Sequence, residues 1–383
     1  MIMRVNKKLI PLLILPLLLL PIVLALPNNF NFGNSGKRVI TESADEAALA
    51  LSKGCTEIKQ VKSLIVLKCS EAIATELNLQ EDVRVFAVDT GANSQIRADL
   101  VHTGGNTGAG RKVVVLDTGY NYNHPELSSS YGGGKDFVNN DNDPFDDNGH
   151  GTHVAGLITA DGLVSRAKGV APDATVLAGK VLSASGSGYF SDVVAAIYWA
   201  VDGPDGVYGT ADDFNADAIS MSLGTSPPYT YKGYCNNVLP SLTNAIIYAR
   251  SKGVLVVVAA GNSGGAGVSI PGCISYSTTV GAVDSTDKVA SWSGKGKGVD
   301  ITAPGVSLYS TWLGTGYATA SGTSMATPVV SGTVALIKSA HPTYTVTQVE
   351  SALFNTAKDL GKVGYDTSYG YGRIDALAAV NAA

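Results

Sequence analysis

The stretch RKVVVLDTGY, residues 111–120, sets the fold class of the larger part of the chain. Its run of valine and leucine has no polar alternation, which is typical of a strand buried on both faces of a parallel sheet. Similar apolar runs follow, separated by segments with helical patterns near residues 152–160, 191–201 and 239–251. These further runs are ATVLAGKVL (174–182), AISMSLG (218–224) and GVLVVVAAGN (253–262). The alternation predicts an α/β domain of three layers, with a parallel sheet between two layers of helices.

The composition and the net charge narrow the kinds of protein that this chain could be. The chain has 383 residues, of which 45% are hydrophobic and 15% are charged, and its net charge is −5. These values indicate a globular chain that is long enough for one large domain and a smaller one. The negative net charge provides no electrostatic basis for binding nucleic acid or an anionic membrane, so we expect neither partner.

The first 25 residues have the pattern of a secretory signal peptide. A basic start with Arg4, Lys7 and Lys8 precedes an apolar run, and small residues end that run at Ala25. An uncleaved membrane anchor is the alternative, because the run approaches the length of a membrane span. We expect cleavage, an extracellular location and no stable membrane association afterwards.

Export makes the four cysteines candidates for disulfide bonds. Four cysteines allow three pairings, and the sequence does not choose among them. Cys55 and Cys69 form one group, and Cys235 and Cys273 form another. If the two groups belong to separate modules, pairing within each group is favoured.

Residues 38–90 have the pattern of a small separate module. Strand and helix signals alternate there as β-α-β-β-α-β, with the last strand at Val83–Val88 and with helices after Ser43 and Ser70. This order predicts an α+β, ferredoxin-like fold. The segment Thr90–Gly110 is rich in Gly, Asn, Ser and Thr, which indicates a linker.

Polar residues that could take part in catalysis or bind a metal follow the apolar strands and begin the helices. Asp117 ends the first strand, where it could also be an ordinary turn former. His150 begins a helix between two glycines, with His153 three residues later. A zinc site is disfavoured, because there is no HExxH motif and no third ligand nearby.

An amide and a serine complete the set. Asn262 ends another strand, where its side chain could stabilise an oxyanion or simply form a turn. Ser324 lies at a predicted helix start, with Pro328 in the first turn, and the N–H groups there suit a tetrahedral oxyanion. Ser321 lacks that position, and we interpret it as a cap or turn residue.

Eight motifs in succession extend this set: VLDTG, HPEL, GHGTHVAG, GVAP, SMSLG, AAGN, APG and GTSMATP. With them the chain, from about residue 101 to residue 383, resembles the subtilisin-like serine proteases of peptidase family S8. The resemblance implies that Ser324 is the nucleophile, His150 the base and Asp117 its orienting partner. It also implies that Asn262 and the Ser324 N–H form the oxyanion hole.

The resemblance further implies how a substrate binds. Two extended segments would pair with a polypeptide as added strands, and a third would wall the primary pocket. No acidic residue falls in these segments, so we expect broad endopeptidase specificity. The implied substrate-binding residues are Gly186, Ser187, Gly188, Phe190, Ser222, Leu223, Gly224, Ala260 and Gly261.

Calcium is expected in two acidic loops, because turn-rich loops with alternate aspartates suit this ion. The loops are NNDNDPFDDN (139–148) and DGPDGVYGTADDFNAD (202–217), and a solvated loop without metal is the other interpretation. The second loop resembles an insertion of archaeal members, which suggests an archaeal or thermophilic type. No calcium is expected in DGLVSRAKGVAP (161–172), where Leu163 replaces the family's Asn ligand. The expected ligands are Asp141, Asp143, Asp146, Asp202, Asp205, Asp212 and Asp213.

The resemblance also implies a domain organisation. Residues 1–25 would be a signal peptide, 26–96 a folding-assisting, inhibitory propeptide with its linker, and 97–383 the peptidase domain. We expect a secreted, monomeric, self-processing endopeptidase that is cut between Asp89 and Arg97. One rival is an inactive secreted binding protein on the same scaffold. Another, an α/β-hydrolase esterase, is disfavoured because G-x-S-x-G is absent around Ser324 and the nucleophile comes last.

Overall fold

The computed structural model describes residues 36–61, 63–81 and 91–382. The chain divides into two compact units, residues 1–87 and residues 88–383. The expected signal peptide lies outside the described residues. Within the described ranges, no helix is both long and apolar enough to cross a membrane.

The first unit contains a four-stranded antiparallel sheet with the strand order β2-β3-β1-β4. Its elements are β1 (Lys37–Thr41), α1 (Ala44–Ser52), β2 (Thr56–Val61), β3 (Leu64–Cys69), α2 (Glu71–Glu76) and β4 (Gln80–Glu81). The hydroxyls of Ser43 and Ser70 cap the two helices by accepting backbone N–H groups. The predicted strand Val83–Val88 lies outside the described residues, and the last described strand is β4. The module's role as a propeptide stays a prediction.

The second unit is built on a seven-stranded sheet in which every neighbouring pair is parallel. Its strand order is β13-β12-β10-β8-β5-β7-β6. The strands are β5 (Lys112–Asp117), β6 (Tyr131–Asp136), β7 (Thr175–Lys180), β8 (Ala218–Met221), β10 (Leu255–Ala259), β12 (Thr278–Val283) and β13 (Ile301–Pro304). The four predicted strands form the sheet's β5, β7, β8 and β10.

The second unit also contains helices and two small antiparallel sheets. The helices are α3 (Ala92–Gln95), α4 (Ala98–Thr103), α5 (His150–Thr159), α6 (Phe190–Asp202), α7 (Pro240–Ser251), α8 (Thr323–Ala340), α9 (Val346–Asn355) and α10 (Ala376–Val380). One two-stranded sheet pairs β9 (Thr230–Tyr231) with β11 (Val268–Ser269), which are distant along the chain, and the other is a hairpin of β14 (Leu308–Thr311) and β15 (Tyr317–Ala320). The three predicted helices correspond to α5, α6 and α7.

Alternate residues of β5 face different helical layers. Val113 and Val115 lie in the core that includes residues of α5 and α8, whereas Val114 and Leu116 lie in the core that includes residues of α6 and α7. All four are 2% exposed or less, and burial of each stabilises the fold by about 1.5–3 kcal/mol. The three-layer α/β fold predicted from the sequence is therefore confirmed.

The linker prediction for Thr90–Gly110 is wrong for much of that segment. Helices α3 and α4 occupy it, and Ile96, Ala98 and Val101 are buried in the core with α5 and α8. The polar and glycine residues around these apolar positions obscured the pattern in the sequence. The segment belongs to the second unit and contributes to its core.

Both disulfide bonds pair cysteines within a group. Cys55 bonds Cys69 in the first unit, and Cys235 bonds Cys273 in the second unit. The Cys235 N–H also donates to the Cys273 carbonyl at 2.9 Å. The favoured pairing is confirmed.

Candidate active site

Strand ends and helix starts bring polar residues to one edge of the parallel sheet. Asp117 ends β5, and the segments after β8 and β10 carry Ser222 and Asn262 to the same edge. His150 is the first residue of α5, and Ser324 is the second residue of α8. All of these except Asp117 line a cleft of about 530 Å³. Such an edge is where α/β sheets bind ligands.

Asp117 and His150 form a short hydrogen-bonded pair. The Asp117 Oδ1 atom lies 2.6 Å from Nδ1 of His150 and also accepts the Thr118 N–H at 2.7 Å. The Asp117 side chain is fully buried, whereas 29% of the His150 side chain is exposed. The carboxylate therefore fixes the imidazole through one ring nitrogen and leaves Nε2 for another partner.

Gly149 makes this start of α5 possible. Its φ is +106°, which a residue with a side chain rarely adopts. A Cβ atom there would lie 2.6 Å from the ring of Trp312. Any larger residue would therefore displace Trp312 or the helix start that holds His150.

The charge state of His150 depends on its acidic neighbours. Burial alone lowers the pKa of His150, but the charge and hydrogen bond of Asp117 and the charge of Asp146 outweigh burial. The pKa of His150 is therefore raised above its ordinary value of 6.5. Burial instead lowers the pKa of His153 to about 4, so His153 is neutral near pH 7.

Asp146, an expected calcium ligand, organises the start of α5. Its carboxylate accepts from the hydroxyls of Thr118 and Thr152 and from the backbone N–H groups of Asn148, Gly149 and Thr152, all within 3.0 Å. These five bonds exceed the four or so lone-pair sites of a carboxylate. Asp146 therefore does not fit a calcium site in this arrangement.

Ser324 lies where α8 begins, although Pro328 is not in the first turn as we predicted. The helix starts at Thr323, so Pro328 is its sixth residue. Because proline has no backbone N–H, the Ser324 carbonyl lacks the hydrogen bond that residue 328 would otherwise donate. The hydroxyl of Ser222 donates to that carbonyl instead, at 2.8 Å. The Ser324 hydroxyl donates to the Ser222 carbonyl at 3.0 Å, and thus points toward the strand after β8.

Ser321 has a structural contact of its own. Its Oγ accepts the backbone N–H of Ser307 at 2.8 Å, and the residue at the helix cap is Gly322. Ser307 has a φ of +55°, so this hydrogen bond supports an uncommon turn. Ser321 is thus a turn residue rather than a helix cap.

Asn262 presents an amide to the cleft. Its Oδ1 accepts from the N–H and the hydroxyl of Thr323, at 3.0 and 3.1 Å. The carbonyl half of the amide is therefore held, and Nδ2 is left to donate elsewhere. A Cβ atom built on Gly322 would lie 3.5 Å from both Asn262 Nδ2 and the Ser324 N–H nitrogen, so the two donors lie near one point.

Most of the expected substrate-binding residues line the cleft, and Ala260 is the exception. Ala260 is fully buried and packs in the core that includes α6 and α7, whereas Ala259 lines the cleft. Thr225 and Ser226 also line it, although the sequence did not mark them. The expected residues that line the cleft are Gly186, Ser187, Gly188, Phe190, Ser222, Leu223, Gly224 and Gly261.

The other acidic residues mostly hold their own loops. Asp143 Oδ1 accepts from the Tyr122 hydroxyl and the Phe145 N–H, and Asp202 Oδ1 accepts from the Tyr248 hydroxyl. Across the described ranges, no three His, Cys, Asp or Glu side chains are grouped closely enough to hold a metal ion. Calcium therefore stays a prediction. The remaining expected ligands, Asp141, Asp205, Asp212 and Asp213, accept backbone N–H groups within their loops.

The loop after α5 is held by a buried carboxylate. Glu126 is fully buried and accepts the N–H groups of Gly162, Leu163 and Val164 at 2.7–2.9 Å. The hydroxyl of Tyr317 donates to the same carboxylate at 3.0 Å. Protein donors thus occupy the carboxylate, and no lone pair is left for a cation.

Lys180 is a buried residue that the sequence pattern did not single out. It ends β7 and is 2% exposed, and its Nζ donates to the carbonyls of Thr118 and Leu182 and to the Asp147 carboxylate. These contacts, at 2.6–3.1 Å, brace the turn after Asp117. The only sign of this buried role in the sequence is a single lysine within the apolar run ATVLAGKVL.

The fold thus brings Asp117, His150 and Ser324 to one edge of the parallel sheet, with Asp117 bonded to His150. A model of the subtilase family matches residues 108–372. The chain is 41% identical over 286 residues to Subtilisin Savinase of Lederbergia lenta, across 75% of this chain and 96% of that protein. It is also 41% identical over 286 residues to Alkaline protease of Alkalihalobacillus alcalophilus, across 75% and 68% of the two chains. For Subtilisin E of Bacillus subtilis strain 168, the identity is 40% over 291 residues, across 75% and 70%.

The chain therefore belongs to the subtilase family and is a serine endopeptidase, with polypeptides as its substrates. These comparisons do not support the archaeal or thermophilic type that the acidic insertion suggested.

Proposed function

We propose that Ser324, His150 and Asp117 form the catalytic triad of this endopeptidase. The Ser324 Oγ attacks the scissile carbonyl carbon while Nε2 of His150 takes the hydroxyl proton. His150 then gives that proton to the departing amine as the C–N bond breaks, which leaves an acyl ester on Ser324. Water repeats the sequence with His150 as base and releases the new carboxyl terminus.

The contact between Asp117 and His150 is the single observation that carries this proposal. At 2.6 Å the buried carboxylate keeps the Nδ1 proton in place and stabilises the imidazolium that each step forms. In the free enzyme the Ser324 hydroxyl donates to the Ser222 carbonyl, so it must leave this acceptor before it donates to His150. Catalytic hydrogen bonds of free enzymes commonly tighten only when substrate binds.

Asn262 and the start of α8 supply the oxyanion hole in this mechanism. The Asn262 Nδ2 and the Ser324 N–H lie near one point, and the second residue of a helix has no intrahelical partner for its N–H. The bond from Thr323 to Asn262 Oδ1 keeps the amide oriented before substrate arrives. This preorganisation favours the tetrahedral intermediate over the planar substrate carbonyl.

Two extended segments are proposed to bind the polypeptide by strand addition, one at Gly186–Gly188 and one at Ser222–Gly224. Both line the cleft, and backbone pairing selects little for side-chain identity. None of the described residues that line the cleft is Asp, Glu, Lys or Arg. This composition supports broad specificity without a requirement for a charged substrate side chain.

We further propose that the enzyme is made as a secreted, monomeric precursor whose first unit inhibits it until self-cleavage. Because Ala92 and Ile96 are buried in the second unit, the part of Asp89–Arg97 ahead of α3 is the favoured place for the cut. Structural calcium at the acidic loops that contain Asp141 and Asp205 remains part of the proposal and takes no part in the chemical steps.

Expression of the full chain tests this function. The wild-type protein should shorten itself and then hydrolyse casein, whereas Ser324→Ala should accumulate the uncleaved form. Ser321→Ala is the matched control, because this serine is three residues away and should leave processing intact. Normal self-processing by Ser324→Ala would overturn the proposal, and so would a processed wild-type protein that leaves casein uncut.

A further inference from the structure

Lys180 is a buried cation on the strand next to the one that ends in Asp117. It is the last residue of β7, is 2% exposed and lies directly opposite Asp117 in the register of β5 and β7. Residues opposite each other on neighbouring strands point to the same face of a sheet. Val115 and Ala178, two residues earlier on these strands, lie in the core that includes α5 and α8. Lys180 and Asp117 are therefore on the side of the sheet that α5 covers.

The Lys180 ammonium joins three segments of the chain. Its Nζ donates at 2.6 Å to the carbonyl of Thr118, in the turn that follows β5, and at 2.7 Å to the carboxylate of Asp147, in the loop that leads into α5. It also donates at 3.1 Å to the carbonyl of Leu182, where the chain leaves β7 toward the first segment proposed to bind substrate. An ammonium has three N–H donors, so each donor has an acceptor.

A lysine at this position is costly for the fold. Burial removes water from the charge, and replacement of a buried ion pair by apolar residues often leaves stability unchanged or raises it. Among the described residues, Asp147 is the one carboxylate that forms an ion pair with Lys180, and its side chain is 51% exposed, so solvent weakens the pair. Stability alone therefore does not account for a lysine here.

We propose that Lys180 is a positioning residue for catalysis, which acts through Asp117 and His150. Its bonds to the turn after β5 and to the loop before α5 fix the two stretches of backbone from which the catalytic carboxylate and imidazole extend. The Asp117 carbonyl is held as well, because it accepts the N–H groups of the two residues after Lys180, at 2.9 and 3.0 Å.

This role predicts which kinetic constant depends on Lys180. A displacement of about 1 Å in a catalytic constellation can lower the rate by about 100-fold, so the chemical step should depend on Lys180 more than substrate binding does. The role rests on the proposed function, since it requires that Asp117 and His150 are catalytic.

Lys180→Met tests this role, in the wild-type background and in Asp117→Asn. Immobilised wild-type enzyme removes the first unit from each variant, and kcat and KM are then measured with a tetrapeptide p-nitroanilide. In the wild-type background, kcat should fall roughly tenfold while KM changes by less than about twofold. In Asp117→Asn, the same change should alter kcat by about twofold at most, because the pair that Lys180 positions is already broken.

Two controls accompany these variants. Ser324→Ala, treated with the immobilised enzyme in the same way, gives the blank for any wild-type enzyme that is carried over. Lys135→Met is the matched lysine control, because Lys135 lies on the adjacent strand β6 with its Nζ 5.4 Å from the centre of the Phe137 ring. It should leave kcat and KM unchanged.

The outcomes separate the role of Lys180 from the proposed function. An unchanged kcat in folded Lys180→Met, a loss confined to KM, or equal losses of kcat in both backgrounds would overturn the positioning role and leave the function standing. Wild-type kcat in Asp117→Asn would overturn the proposed function itself. If Lys180→Met does not fold, Lys180→Arg replaces it, since a planar guanidinium keeps the charge without the geometry of the ammonium, and the same pattern of kcat is expected.

Discussion

The hydroxyl of Ser222 donates a 2.8 Å hydrogen bond to the Ser324 carbonyl, and the Ser324 hydroxyl donates a 3.0 Å hydrogen bond to the Ser222 carbonyl. In a regular helix the Ser324 carbonyl would accept the N–H of residue 328, which is proline here. The proline thus leaves a carbonyl that Ser222 satisfies. This reciprocal pair ties a proposed substrate-binding segment to the proposed nucleophile.

Ser222→Ala should lower the free energy of unfolding by about 1 kcal/mol, because it leaves the Ser324 carbonyl without its donor. In a Pro328→Ala background the same change should cost less, since the N–H of residue 328 can then bond that carbonyl. Urea unfolding of the two single variants and the double variant measures the coupling. Equal losses in both backgrounds would show that Ser222 does not compensate for the proline.

The raised pKa of His150 predicts the pH at which activity falls on the acid side of the pH profile. Only neutral imidazole can take the Ser324 proton, so kcat/KM should fall to half its plateau at a pH above 6.5 as the solution is acidified. Asp117→Asn removes the charge and the hydrogen bond that raise this pKa. The limb should then move to lower pH, and kcat should fall by about 10⁴-fold. A wild-type limb at or below pH 6.5 would contradict this account of the pair.

The same pKa has a consequence for stability. Because the folded pKa of His150 is raised, its pairing with Asp117 contributes stability that is fully present below the unfolded pKa, about 6.5. That contribution is lost as the pH rises through the folded pKa. Asp117→Asn should therefore flatten the stability profile across this pH range, which thermal unfolding at a series of pH values would reveal.

Glu126→Gln should destabilise the protein by about 3 kcal/mol, since a charged acceptor for three backbone N–H groups becomes a neutral one. The Gln side chain would also bring an NH₂ group toward those donors. If no cation is involved, a chelator should change the unfolding midpoint of wild type and of Glu126→Gln by the same amount. A chelator effect confined to wild type would show that Glu126 holds a metal ion.

Loss of the Cys235–Cys273 disulfide should lower the free energy of unfolding by about 4 kcal/mol, because the bond closes a loop of 38 residues in the unfolded chain. The Cys235→Ala/Cys273→Ala double variant measures this effect by denaturant unfolding. The Cys55→Ala/Cys69→Ala pair is the control, since that bond lies in the first unit and would be absent from the processed enzyme. An unchanged midpoint in the first double variant would refute the estimate.

The elements that were predictable have strong local signals. KVVVLD and GVLVVVAAGN are continuous apolar runs, and buried parallel strands require such runs on both faces. By contrast, β6 has the sequence YGGGKD, whose glycines are poor strand formers, and it forms through pairing with β7. Helices α3 and α4 are short and polar in composition, so only burial against the core reveals them.

In the candidate site, too, some residues were predictable from local sequence and others were not. Asp117, His150, Asn262 and Ser324 are marked by strand ends, helix starts and motifs, which are local in the sequence. The hydrogen bonds that Glu126 accepts from the loop after α5 join segments that are distant along the chain. No local pattern carries that information. The same holds for Ser222, whose role follows from the distant Pro328.

The central claim is that Ser324 is the nucleophile that His150 activates. Treatment of the processed enzyme with a serine-directed phosphonate, followed by peptide mapping by mass spectrometry, tests it most directly. We predict one covalent adduct, on Ser324, with casein hydrolysis lost in proportion to labelling and with labelling strongly slowed in His150→Ala. An adduct on another serine that abolishes hydrolysis, or full activity in protein whose Ser324 is labelled, would contradict the account.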